Sequence, residues 1–171
     1  DYTGGTVVTG GSLLGRGNAV FGANVVGNDI YISAANGTSG NLVLSNPGSV
    51  GSNQRITLNV NDPNNAAAIG FGAGYGDLSG IKFHSPLEGP GGALGGSNIY
   101  LTGQAGLVGR MAIQLTDNIK FDRDFAAEIT AISPNIQLWV GAERGNAVFT
   151  GNMLSASNGA LRLGAGTGTL T

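Results

Sequence analysis

Paired glycines interrupt this chain before any strand can grow long. In the opening, Asp1-Tyr2-Thr3-Gly4-Gly5-Thr6-Val7-Val8-Thr9-Gly10-Gly11-Ser12-Leu13-Leu14, two short apolar segments, Thr6 to Val8 and Ser12 to Leu14, are broken by glycine pairs. Glycine enters φ > 0 without a steric penalty, so the backbone can turn about every five residues. Segments this short cannot build a wide flat sheet. They suit a coil whose brief strands pile on the coils above and below.

Further strand candidates recur at short intervals with alternating apolar residues: Ile30 to Ile32, Asn41 to Ser45, Gln54 to Val60, Ile81 to His84, Ile99 to Thr102, Met111 to Leu115, Ile119 to Phe121, Glu128 to Ile132, Ile136 to Val140, Ala147 to Phe149, Met153 to Ser155, Ala160 to Leu163 and Gly168 to Leu170. Helical periodicity is nearly absent; Asp122 to Ile132 comes nearest to it. Loops fall at Asn46-Pro47-Gly48, Asp62-Pro63-Asn64-Asn65 and across Ser85 to Gly96.

Two phrases repeat. Arg16-Gly17-Asn18-Ala19-Val20-Phe21 returns as Arg144-Gly145-Asn146-Ala147-Val148-Phe149, and Ile30-Tyr31-Ile32-Ser33 is echoed by Ile99-Tyr100-Leu101-Thr102, more weakly by Ile136 to Val140. The spacings share no short period, so coils of roughly 20–25 residues must carry loops of varying length. The expectation is an all-β fold, a β-solenoid (parallel β-helix) formed by residues 1–171 as one domain. The alternative is an antiparallel β-sandwich, because Asn36-Gly37 between Ile30-Tyr31-Ile32 and Leu42-Val43-Leu44 could close a hairpin. An isolated coil cannot offset its ordering entropy, whereas stacking supplies ladder hydrogen bonds and covers the neighbour's core. Asn, the commonest polar residue here, suits hydrogen-bonded stacking between coils.

Composition narrows the function classes. Only 11% of residues are charged, the net charge is −2 and the basic residues are scattered, so no stripe is available to neutralise phosphates and no nucleic-acid partner is expected. At 41% hydrophobic the chain is too apolar for a charge-poor disordered tail. Cysteine is absent, which removes disulfides and thiolate metal sites. No apolar run is long enough to span a bilayer as a helix. The first residue is not Met and no signal peptide is visible, as in a segment of a longer, repeat-bearing or processed product.

Tyr2-Thr3-Gly4-Gly5-Thr6-Val7-Val8 followed by Gly11-Ser12-Leu13 resembles the passenger-associated repeat of bacterial autotransporters, whose pattern runs Asn-Thr-Tyr-Thr-Gly-Gly-Thr-Thr-Val and then Gly-Thr-Leu. The segment Gly164-Ala165-Gly166-Thr167-Gly168-Thr169-Leu170-Thr171 resembles the half that precedes that repeat. Asp1 stands where the family more often has Asn, and Val7 where it often has Thr. The resemblance covers both ends of the chain and is silent in between. It implies an extracellular, cell-surface β-helix passenger. The two ends look like consecutive halves of one motif, so Asp1, Tyr2, Thr3, Thr6 and Val7 are expected to meet Thr167, Thr169, Leu170 and Thr171 of another copy in head-to-tail self-association.

Each candidate for chemistry has a plainer explanation. His84 lacks a Gly-x-Ser-x-Gly partner motif and reads as a polar strand end. Asp117, Asp122, Asp124 and Glu128 are the densest acidic group, but Lys120 and Arg123 are interleaved and simple charge pairing explains them. Asn59, Asn61 and Asp62 read as a turn, since the EF-hand pattern is missing. Gly70-Phe71-Gly72-Ala73-Gly74 lacks the Lys-Ser/Thr of a phosphate loop. Asn36-Gly37-Thr38 is a formal glycosylation sequon that also reads as a turn. Tyr31, Tyr75, Tyr100 and Trp139 could stack on sugar rings where they face outward, half or more of them being core.

The sequence therefore points to a non-enzymatic structural or adhesive module, a stalk, adhesin scaffold or filament unit, with no catalytic residue, metal or cofactor. Its expected partners are further copies of itself, with surface glycans as a second class. The alternatives are a carbohydrate-active β-helix enzyme of the lyase or hydrolase kind, which would need its carboxylates gathered in one cleft, and a sugar-binding adhesin using exposed Tyr31, Tyr100 or Trp139.

Overall fold

The computed structural model describes residues 2–34, 37–85, 94–102, 108–116, 120–121, 123–149, 159–164 and 166–171. The chain is mostly β, arranged as parallel sheets of short strands. The first sheet joins β1 (Thr6–Val8), β3 (Ile30–Ser33), β5 (Ile56–Asn59), β8 (Asn98–Thr102) and β7 (Lys82–His84), in that order. The second runs β2 (Gly11–Gly15), β4 (Gly40–Leu44), β6 (Ala66–Phe71), β9 (Gly109–Thr116), β11 (Ile136–Arg144) and β13 (Arg162–Leu163). A third, of β10 (Lys120–Phe121), β12 (Asn146–Phe149) and β14 (Thr169–Leu170), appears only in the second half.

Every strand pairing among the described residues is parallel. The hairpin that Asn36-Gly37 would allow does not form: β3 and β4 lie in different sheets. Asn36 itself falls outside the described residues. Through β6 the chain alternates between these two sheets, and a first-sheet and a second-sheet strand at one height make a tier.

The register turns the alternation seen in the sequence into columns. Leu13, Leu42, Ile69, Ile113, Val140 and Leu163 are successive partners across the second sheet. Ile30, Ile56, Ile99 and Phe83 do the same in the first. These inner columns face one another and merge into one apolar core. The same period of two sends Ser12, Asn41, Ala68, Ala112 and Trp139 to the outer face of the second sheet.

Corners are sealed by amides bonding the backbone. Buried Asn28 donates through Nδ2 to the carbonyls of Tyr2, Phe21 and Ala23, and its Oδ1 accepts from Gly5 N at 2.8 Å. One tier on, buried Gln54 donates to the carbonyls of Phe21 and Asn28 and accepts from Gly51 N. The expected stacking of amides exists here as side chain to main chain, because the carbonyls at a corner have no ladder partner.

The repeated phrase occupies the same place in both copies, just after a second-sheet strand. Gly17 and Gly145 both sit at positive φ, 88° and 68°, where the chain leaves that sheet. The copies then diverge: residues 146–149 form β12, whereas 16–21 stay in turns and insert Phe21 into the core. The echo of Ile30-Tyr31-Ile32 in Ile99-Tyr100-Leu101 reflects true equivalence, since Ile30 and Ile99 share a column. The weaker echo at Ile136 lies in the other sheet.

Two features depart from the sequence expectation. Ala66–Phe71 is a strand that its alanines disguise. The candidate strand Glu128 to Ile132 is instead part of helix α1 (Phe125–Ile132). Asp124 caps α1 by accepting from Ala127 N at 3.0 Å, while Phe125 and Ile129, one turn apart, bury against the core. The candidate strand Met153 to Ser155 lies outside the described residues.

The largest irregularity is the order of β7 and β8. After β6 the chain moves to the outer edge of the first sheet, makes β7, and returns to insert β8 between β5 and β7. Helix α1 then packs on β7: the rings of Phe83 and Phe125 meet edge to face at 5.5 Å. Arg123 holds the two segments together. It forms a two-pronged ion pair with Glu128 (2.6 and 2.7 Å) and donates to the carbonyls of Leu78, Ser79 and Ile81.

Candidate functional site

The residues expected to mediate self-association lie at opposite ends of the stack. Tyr2, Thr3, Thr6 and Val7 belong to the first tier; Tyr2 bonds Thr6 side chain to side chain at 2.8 Å, and Val7 and Tyr2 are exposed. Thr167, Thr169, Leu170 and Thr171 belong to the last, where Thr167 Oγ1 donates to the Glu143 carbonyl at 2.7 Å and Thr171 N to that of Ala147. Asp1 lies outside the described residues. Among the described residues the two groups do not meet within one chain.

The inner column explains why the ends matter. Leu42, Ile69 and Ile113 are fully buried, yet their column partners Leu13 and Leu163 are 37% and 52% exposed. Apolar side chains of this column are thus exposed on both edge strands of the second sheet. At the last tier a hollow of about 340 Å³ is lined by Leu163, Gly164, Leu170 and Thr171.

A second feature lies on the flank. The outer face of the second sheet is hollowed into a groove of about 330 Å³, with small residues such as Ala68 and Ala112 as its floor and Trp139 on one side. Asn41 on β4 and Glu143 on β11 are separated by two intervening strands, yet Asn41 Nδ2 donates to Glu143 Oε2 at 3.1 Å. That bond closes only because the face is dished. Glu143 is the extra residue of a bulge between Ala142 and Arg144, where the register slips and the side chain is re-aimed.

The polar groups of the groove are incompletely satisfied. Asn41 and Gln114 are only 6% and 8% exposed, and Asn41 Oδ1 and Gln114 Oε1 have no hydrogen-bond partner. Arg110 donates through Nη1 to the Asn64 carbonyl at 2.9 Å, but its Nε is unpartnered. Nearby, Asp62 is held below the ordinary 3.8 by the Asn65 side chain and by the amides of Asn64 and Asn65. The turn expected there is thus an Asx turn, its carboxylate occupied by local donors.

The other candidates are absorbed by structure. Asp124 caps α1 and Glu128 pairs with Arg123; Asp117 and Asp122 lie outside the described residues. Among the described residues no group of three His, Asp or Glu could hold a metal. His84 ends β7, stacked on Tyr100 at 5.0 Å with Nε2 3.1 Å from Asn98 Oδ1. The Tyr100 ring also carries the Arg55 guanidinium at 4.2 Å. Tyr75 packs edge to face on Phe71, and burial pushes its phenol up. Of the four aromatics singled out in the sequence, Trp139 is the one that lines the groove. Asn41, Gln114, Arg110 and Glu143 carry no sequence signal, because three strands distant along the chain deliver them.

No protein-family model, no curated protein and no solved structure matches the chain.

Proposed function

We propose that the parallel sheets are the walls of a β-solenoid, and that the chain is a non-enzymatic structural or adhesive module of a passenger-type protein at the bacterial cell surface. The carrying observation is the aliphatic column buried through the middle tiers and open at Leu13 and Leu163. The occupant of each open end is a second copy of this chain. The first tier of one copy offers parallel strand edges and apolar side chains that continue the column at the last tier of another, and the hollow beside Leu163 and Leu170 has room for its side chains. Such a contact joins unlike ends and therefore propagates into a filament, using edges that would otherwise pair indiscriminately.

Sedimentation velocity over rising concentration, with electron micrographs of the same samples, tests this reading. Species should lengthen with concentration, and Leu13→Asp or Leu163→Asp should return the protein to monomer by placing a charge in the apolar contact. A wild-type protein that stays monomeric at the highest attainable concentration overturns it.

A further inference from the structure

The groove on the second sheet has the composition of a ligand site, and its unsatisfied groups specify the ligand. Burying an amide oxygen without a partner costs roughly 1–3 kcal/mol. Two such oxygens, Asn41 Oδ1 and Gln114 Oε1, together with Arg110 Nε, belong to residues lining one concavity. All three atoms are closed to solvent, so a ligand engages them only as the side chains turn into the groove; the two oxygens then take donors and the nitrogen an acceptor. A hydroxyl group meets either need. An anion would face two amide oxygens and the Glu143 carboxylate, and a cation would face Arg110, so neither charge is favoured. Trp139 adds a flat apolar surface beside a floor of small residues, which suits the C–H face of a pyranose ring. The volume falls at the lower end of the range for small-molecule sites.

We propose that this groove binds a neutral oligosaccharide, with Trp139 as the stacking platform and Asn41, Gln114 and Arg110 as the hydrogen-bonding groups. Glu143 accepts from Asn41 across the dish and fixes the orientation of its amide at the groove wall. The site is on the flank of the stack, so sugar binding by a monomer, or assembly without sugar binding, would separate this inference from the stacking proposal.

Trp139 is the only tryptophan, so its emission reports on the groove alone. The full chain is titrated with cellotetraose, xylotetraose, mannotetraose, maltotetraose and chitotetraose. At least one should give a saturable shift in emission. By calorimetry with that sugar, Gln114→Leu should weaken binding roughly tenfold, the scale of one lost hydrogen bond, and Trp139→Ala should abolish it. Ala112→Trp fills the groove from its outward-facing floor without touching the core columns and should also abolish binding. Tyr31→Ala, on the other sheet, should leave it unchanged. No saturable shift with any of the five at millimolar sugar, or binding that survives Ala112→Trp in a folded variant, overturns the proposal.

Discussion

The first half of the molecule keeps sequence order and the second half breaks it. Through β6 the strands enter their sheets one after another, and the returns between them are turns held by side-chain amides, Asn28 and Gln54 chief among them. Beyond β6 the returns become a third sheet, a helix replaces one of them, and β7 is laid down outside β8. The inner column of the second sheet runs through both halves without interruption, whereas that of the first sheet ends at β7. Cohesion between tiers therefore resides in the columns and ladders, while the corners are free to be built from amides, strands or a helix.

Three measurements test that contrast. Phe125→Ala should have the largest effect, a loss of about 3–5 kcal/mol in urea denaturation, since it deletes a buried ring at the junction of α1 and β7. Hydrogen exchange should then quicken first at β7 and α1 while β3 to β6 stay protected. Uniform loss of protection would instead make the two halves one cooperative unit.

Gln54→Ala should cost less, roughly 1–3 kcal/mol, by leaving the Phe21 and Asn28 carbonyls and the Gly51 amide unpaired. Its effect should be confined to the corners before β3 and β5. Faster exchange in α1 would contradict independent corners.

The smallest effect concerns acid. Asp62 in the regular half and Asp77 just beyond it are both held below 3.8, the first chiefly by the Asn65 side chain and the second by the Ser79 hydroxyl. A folded pKa below the unfolded one contributes stability that is present above the ordinary value and lost as pH falls through the folded value. Carboxyl carbon titrations should give midpoints below 3.8 for both. Asn65→Ala should raise only that of Asp62, and Ser79→Ala only that of Asp77. A midpoint at or above 3.8 in the unaltered protein would remove the turn geometry assigned to that residue.

The short-stranded character of the fold was legible because it is local: glycine-spaced apolar triplets such as Thr6 to Val8 must turn often, and alternation fixes which side chains face inward, whereas the choice of parallel over antiparallel pairing joins strands distant along the chain. Ala66–Phe71 was not legible, since alanine has little strand preference and β4 and β9 on either side hold it in place. The helix at Phe125 hid behind Ile129, Thr130 and Ile132, residues of strand type, until its Asp124 cap and the Arg123–Glu128 pair are counted. Trp139 could be singled out by residue type. Its companions could not, because Asn41, Gln114 and Glu143 converge only after four parallel strands are in register.

The exchanged order of β7 and β8 has a consequence for how the molecule is made. A chain delivered N-terminus first, from a ribosome or through a pore, could otherwise zip up tier by tier, each new strand finding its template already formed. Here β7 is released before the strand it must lie against exists. It has to wait, unpaired, until β8 has emerged and docked on β5, so vectorial growth halts at this tier and resumes only after a later segment has slipped beneath an earlier one.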